Sequence, residues 1–183
     1  MKTKLVTALI TCLLFAVSHG HAAELKVDPA RSRIQVDAKA TGHRFTGTLK
    51  RFEAKASGNA SNLIPELFQL DWKFSDLDTD NDDRDAQMLD WLGNKQATGS
   101  FKFIKSWTDE KGRSHAMGEL KINGLTKRIS FPYEVKRDGD WLTVDGQVWM
   151  DHRDFKLPII RSMAVMTVNP KLLIRFHLVG KIS

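Results

Sequence analysis

Apolar residues recur at every second position through most of this chain, and that beat constrains its fold more than any other feature. Successive side chains of an extended strand point to opposite faces, so a period of two gathers the apolar members on one side. Phe68, Leu70, Trp72 and Phe74 alternate with Gln69, Asp71, Lys73 and Ser75 in the clearest instance. The pattern also runs through 34–40, 116–122, 129–135, 142–150 and 172–178. With further strands predicted over 44–56 and 98–105, the total is about eight. Between 82 and 92 the beat changes. Met88, Leu89, Trp91 and Leu92 follow helical spacing, Asp82 and Asp83 sit at the electropositive start, and Gly93 lies just past the end, which predicts one short helix. Clean alternation with a polar face favours antiparallel strands with one side in water. Such strands either stack as a sandwich or close as a barrel, and a closed eight-stranded barrel can hold one slender ligand. Periodicity leaves both architectures open.

The first 22 residues follow a different logic. Lys2 and Lys4 precede a weakly polar to apolar run from Leu5 to Val17, and Gly20-His21-Ala22 then offers small residues at the two positions a signal peptidase reads. The run spans about 20 Å as a helix, short of the roughly 30 Å hydrocarbon core, so a cleavable secretory signal is expected over 1–22 and not a permanent anchor. The domain then occupies 23–183, with no integral membrane segment in it, and the expected location is the periplasm. Cys12, the one cysteine, leaves with the signal, which excludes a disulfide framework and thiol chemistry. Thr11 precedes it and Leu13 to Val17 continue beyond it, against a lipoprotein signal. Loss of Lys2 and Lys4 lowers the formal charge from +6 to +4.

Candidate chemistry is sparse. The acidic run from Asp76 to Asp83 suggests a calcium loop, but Asn81 stands where the sharp-turn Gly belongs and Gln87 where the bidentate Glu belongs. His43, His115, His152 and His177 lack partners at ligand spacing and read as isolated surface or strand residues, so no metal is expected. In Asp151-His152-Arg153-Asp154 a strand would put only alternate members on one face, which favours a structural charge pair over a catalytic cluster. There is no nucleophile elbow, phosphate loop or dinucleotide fingerprint. No catalytic residue, cofactor or enzymatic activity is predicted. Basic residues such as Lys39, Lys73, Lys102, Lys121 and Arg175 are scattered at outward positions instead of forming a stripe, against a nucleic-acid partner. What remains is an aromatic load on the apolar strand faces: Phe45, Phe68, Trp72 and Phe74, then Phe101, Phe103, Phe131 and Phe176. These form an ordinary packed core or, in a hollow barrel, a surface for an apolar ligand.

Several short motifs, taken in order, resemble the YceI-like family of bacterial periplasmic proteins. Val27-Asp28-Pro29-Ala30-Arg31-Ser32 is similar to the family's opening, and Gly42-His43-Arg44-Phe45-Thr46-Gly47 follows it. Arg84-Asp85-Ala86-Gln87 resembles the start of the family's helix. Gly118-Glu119-Leu120-Lys121-Ile122-Asn123-Gly124-Leu125-Thr126-Lys127 and Asp151-His152-Arg153-Asp154-Phe155 resemble two later elements. Arg31 and Gln87 stand where the family often has His. Gln96-Ala97 replaces an aromatic-proline pair, and Lys156-Leu157-Pro158-Ile159 replaces a glycine-rich loop. The resemblance implies a single antiparallel eight-stranded lipocalin-like barrel holding a polyisoprenoid or isoprenoid quinone lipid. On it, Phe45, Phe68, Trp72, Phe74, Phe101, Phe131 and Phe176 are expected to contact the chain, with Met88 and Leu89 covering one end. The alternatives are a filled barrel serving as a stress-related protein-interaction module, and a hydrolase or isomerase with His152 or His177 as base.

Overall fold

Alternation becomes geometry in a closed antiparallel barrel. The computed structural model describes residues 23–59, 61–93, 97–159, 161–162 and 166–183; the expected signal lies outside the described residues, as does Gln96. In chain order the elements are β1 (Ala23–Val27), β2 (Arg33–Ala40), β3 (His43–Leu49), β4 (Glu53–Asn59), β5 (Ile64–Lys73), β6 (Leu77–Asp78) and α1 (Asp82–Trp91). There follow β7 (Thr98–Thr108), β8 (Ser114–Ile122), β9 (Leu125–Asp138), β10 (Trp141–Asp151), β11 (Arg161–Ser162), β12 (Met166–Thr167) and β13 (Lys171–Ile182). Hydrogen bonding runs β1-β4-β5-β7-β8-β9-β10-β13, and β13 returns to β1, so eight strands close on themselves. No edge in that ring is left for another chain.

Closure depends on a strand broken in two. The first half of β13 pairs with β2, from Leu173↔Asp37 to His177↔Arg33, and its last residues pair with β1, from Val27↔Gly180 to Leu25↔Ile182. Between them the chain turns at Asp28, whose carboxylate accepts from the Ala30 and Arg31 amides, while the Ser32 hydroxyl donates to the Asp28 carbonyl and accepts from the Val179 amide. β3 and β4 follow suit on the next stave, pairing with β2 and β1 respectively. The continuous strand expected over 44–56 is therefore interrupted at Lys50–Phe52. There the Lys50 amide donates to the Asp76 carbonyl and the Arg51 guanidinium to the Asp76 carboxylate. β5 also stops one residue short of the expected strand, and Phe74–Asp76 form a 3₁₀ turn.

The outer face carries cross-strand charge pairs. Arg175 Nε reaches Asp37 at 2.7 Å, and His177 Nδ1 lies 2.7 Å from Asp145, its register partner on β10. His115 Nε2 lies 3.0 Å from Asp109. These two histidines are thus paired, not isolated: strand register brings His177 to Asp145 from 32 residues away, and the β7–β8 turn brings Asp109 back to His115. The helix lies close to where periodicity put it: the Asn81 side chain caps it by accepting from the Arg84 amide at 2.8 Å, and Gly93 follows with φ of +70°. Two carboxylates of the would-be calcium loop, and Asp85 just beyond it, are spent locally. Asp76 takes Arg51, Asp78 takes Lys50 and the Asp80 amide, and Asp85 accepts from the Thr79 hydroxyl at 2.6 Å. Among the described residues no group is placed to hold a metal, and no helix is long and apolar enough to cross a membrane.

Candidate functional site: a slender apolar channel

Because every stave alternates, the barrel interior is walled almost entirely by apolar side chains. They enclose a cavity of about 630 Å³, inside the range of roughly 300–1,000 Å³ common for small-molecule sites. Its shape follows from β13, where Leu172, Ile174, Phe176, Leu178, Gly180 and Ile182 all face it. That run covers about 33 Å along the strand, so the space is long and narrow. A single extended chain suits it better than a compact ligand. One rim, at the β4–β5 connection, is apolar: Leu63, Ile64, Pro65 and Leu67 line it, and Ile64 and Leu67 are 49% and 47% exposed. Toward α1 the lining turns polar, with His43, Thr79, Asn81, Arg84 and Gln87.

A barrel of this size can fill with its own side chains. Here three large rings lie against the wall because glycines stand beside them. A Cβ on Gly99 would come within 2.2 Å of Trp72, one on Gly118 within 2.2 Å of Phe101, and one on Gly146 within 2.3 Å of Phe176. Gly99 and Gly146 are the direct register partners of Trp72 and Phe176. Each missing side chain leaves a recess for a ring, and the bore stays open. Phe131 ties the array together, its ring centroid 5.8 Å from that of Phe101 and 5.4 Å from that of Phe176.

The end near α1 is closed by two short segments. On the helix, Arg84, Gln87, Met88 and Trp91 line the cavity, a stripe at i, i+3, i+4 and i+7. Opposite, the chain leaves β10 and makes a 3₁₀ turn over His152–Phe155 that buries His152 and Phe155. The Trp91 indole N–H donates to the Pro158 carbonyl at 2.9 Å and its ring meets the His152 ring edge-on at 5.1 Å. Arg84 spends its guanidinium on the Thr79 hydroxyl and carbonyl and stacks over Phe45 at 4.4 Å.

The eight aromatics singled out from the sequence, Phe45, Phe68, Trp72, Phe74, Phe101, Phe103, Phe131 and Phe176, all line this cavity, and so does Met88. Leu89 does not. It is half-buried outside the lining, because the residue after Met88 lies about 100° further round the helix. Trp91 and Leu92 take its place. His152 is the larger departure: it is 0% exposed, the reverse of a surface residue, because the chain curls inward after Asp151 where a strand was expected. Asp151 and Arg153 do pair, as two parallel bonds at 2.9 and 2.6 Å. His177, the other base considered, faces outward beside Asp145 and does not line the cavity.

The Arg153 guanidinium holds the Asp151 carboxyl at about 2, against an ordinary 3.8, with burial opposing. A carboxylate with a depressed folded-state pKa contributes stability that is present above its unfolded value and lost as pH falls through the folded one. The stability gap between the wild type and Asp151→Asn should therefore be full above about pH 5 and be lost progressively down to about pH 1. Thermal melts across that window measure it, and a gap independent of pH would remove the ion pair from the closure of this end.

Known proteins resemble this chain in both sequence and fold. The profile of the YceI-like domain matches residues 25–180. Among solved structures, BcnA of Burkholderia cenocepacia is similar with a TM-score of 0.71 at 21% identity, covering 84% of this chain and 99% of that one. A polyisoprenoid binding domain from Saccharophagus degradans, implicated in plant cell wall breakdown, gives 0.68 at 14% identity, covering 88% and 99%. The YCEI protein of Campylobacter jejuni gives 0.63 at 16% identity, covering 74% and 83%. Among curated proteins none matches the chain significantly. At these identities the structural neighbours speak to the fold.

Proposed function

The chain belongs to the family of YceI-like domains, and on that premise we propose that it is an exported, non-catalytic carrier that encloses one long isoprenoid lipid in its barrel. The observation that carries this reading is the elongated cavity, lined mostly by apolar side chains whose largest rings sit in recesses beside glycines. Each methylene that leaves water for such a lining gains about 0.8 kcal/mol, so a chain of many isoprene units is the ligand that profits most. Phe68, Trp72, Phe74, Phe101, Phe131 and Phe176 would contact that chain in the middle, Phe45 and Met88 toward the helix. The structural likeness to a polyisoprenoid binding domain supports the choice of lipid class. The charged amino terminus, the apolar run and the small residues before Ala23 support export to the periplasm through removal of 1–22. The test is mass spectrometry of organic extracts of the purified protein. A polyprenyl alcohol, its phosphate or an isoprenoid quinone should be found near one per barrel, and delipidated protein should take up added quinone. Repeated extracts free of lipid, with no uptake, would overturn the carrier and leave the filled-barrel alternative.

A further inference from the structure

Two neighbouring staves of the barrel part at the apolar rim. β5 and β7 pair only from Lys73↔Thr98 to Gln69↔Lys102; beyond that level β5 continues to Ile64 on β4 alone, and β7 to Thr108 on β8 alone. Each strand carries one extra residue just past the point where they separate, Glu66 against β4 and Ile104 against β8. A bulge bends and twists the strand that holds it, so one on each strand at this level ends their pairing. Behind the parting lies the channel: Ile64, Pro65, Leu67 and Phe68 line it from one lip and Phe103 from the other. Of the six large apolar side chains that stand exposed among the described residues, four lie on these lips, namely Ile64, Leu67, Ile104 and Trp107. Such clustering marks a contact surface. The hairpin tip beside them is firmly built. The Asn59 side chain accepts from the Ser61 and Asn62 amides, its carbonyl accepts from the Leu63 amide, and the Asn62 side chain accepts from the Ile64 amide. Leu63 is held at φ of +58°, a left-handed value that leucine seldom takes, and it lines the mouth.

Resting on the lipid-carrier reading above, we propose that this parted face docks on an anionic phospholipid bilayer and that the lipid chain passes between β5 and β7. Ile64, Leu67, Ile104 and Trp107 dip into the boundary between headgroups and acyl chains, a depth that suits an indole, which is apolar with one polar edge. The charges around them fit phosphates. Lys55, Lys102 and Lys105 are exposed on the flanking strands, against the single carboxylate of Glu66. Glu119, the register partner of Lys102, goes to Arg128 at 3.6 Å, and Lys105 Nζ stands 5.9 Å from the centre of the Trp107 ring. Continuity with the channel favours a bilayer over a protein partner. A chain leaving the acyl layer here reaches the apolar lining without crossing water.

The test uses the chain from Ala23 onward, which carries every described element and keeps the apolar run 5–17 out of the vesicles. Delipidated protein is floated with vesicles of phosphatidylcholine alone and of equal parts phosphatidylcholine and phosphatidylglycerol. Wild type should bind the anionic vesicles about tenfold more tightly than the neutral ones, and less so as salt is raised. Ile104→Ser/Trp107→Ser and Lys102→Glu/Lys105→Glu should each weaken binding to the anionic vesicles about tenfold or more. None of these four side chains lines the cavity, so both variants should take up a tetraprenyl quinone from detergent as wild type does, yet load more slowly from anionic vesicles. If both variants bind the vesicles like wild type, or wild type binds neither kind, the docking face falls while uptake from detergent keeps the carrier. No uptake from either source removes the carrier and the doorway with it. A second measurement needs no loss of binding. Bromine-labelled acyl chains should quench wild-type fluorescence and lose that effect in Trp107→Phe; equal quenching in the two overturns the placement. A wild-type dimer in sedimentation velocity that Ile104→Ser/Trp107→Ser dissolves would overturn it too, giving this face to a second copy.

Discussion

Replacing Gly118 by valine should cost the barrel about 3 kcal/mol and lower its melting temperature by about 10 °C, a large loss for a residue with no side chain. A Cβ there would meet the Phe101 ring at 2.2 Å and the Lys102 carbonyl oxygen at 2.7 Å. The ring can turn away, but the carbonyl belongs to the β7–β8 ladder and cannot move without breaking it. Gly146→Ala is the informative partner. The three atoms nearest its Cβ would all belong to the Phe176 ring, the first at 2.3 Å. The ring then swings off the wall into the bore. The protein should stay folded, with a loss of about 1 kcal/mol, while retention of co-purified lipid falls at least tenfold. Calorimetry and quantified extraction on the same preparations separate the two effects. Undiminished lipid in a folded Gly146→Ala protein would mean that the ring recess has nothing to do with keeping the channel open.

Phe131→Ala should destabilise the lipid-free protein by about 3–5 kcal/mol, lowering the melting temperature by about 10 °C or more. The ring is buried and touches both Phe101 and Phe176, so its removal strips packing from two neighbours as well as its own contacts. Unlike a cavity in a solid core, the new space opens onto a channel, where a bound chain can occupy it. Loading with a polyprenyl lipid should therefore raise the melting temperature of the variant by more than that of the wild type. Equal shifts would place Phe131 away from the lipid, and a drop of only a degree or two would contradict the ring array.

The sequence reaches far into this architecture because lumen and solvent alternate along every stave. Phe68, Leu70, Trp72 on β5 and Leu172, Ile174, Phe176, Leu178 on β13 face the channel as their spacing predicts. Gly118 and Gly146 also fall on inward positions of the beat, yet nothing in the chain says why they must be small. That reason lies in register, which puts Phe176 across from Gly146 thirty residues away. The same distance hides the break at Lys50–Phe52, where Asp76 of the 3₁₀ turn after β5 holds the chain, and the Asp145 partner of His177. Leu89 lies one residue of helix phase off the lining stripe. His152 defies the local pattern because alternation ends with β10 at Asp151, and the 3₁₀ turn that follows carries the ring inward. Its burial is a property of the turn and not of the local pattern.

The seam between β1 and β13 also sets a clock. Residues 25–27 pair with 180–182, so the ring cannot shut until nearly the whole chain has emerged, whatever order the other hairpins form in. Until that moment the sheet is a curled strip with two raw edges and its apolar side exposed. Such late closure makes folding slow by topology, since the longest loop must be ordered before its contacts give any return. If the export proposed above precedes folding, slowness before the last strand arrives is an asset, because the apolar channel then forms only after export.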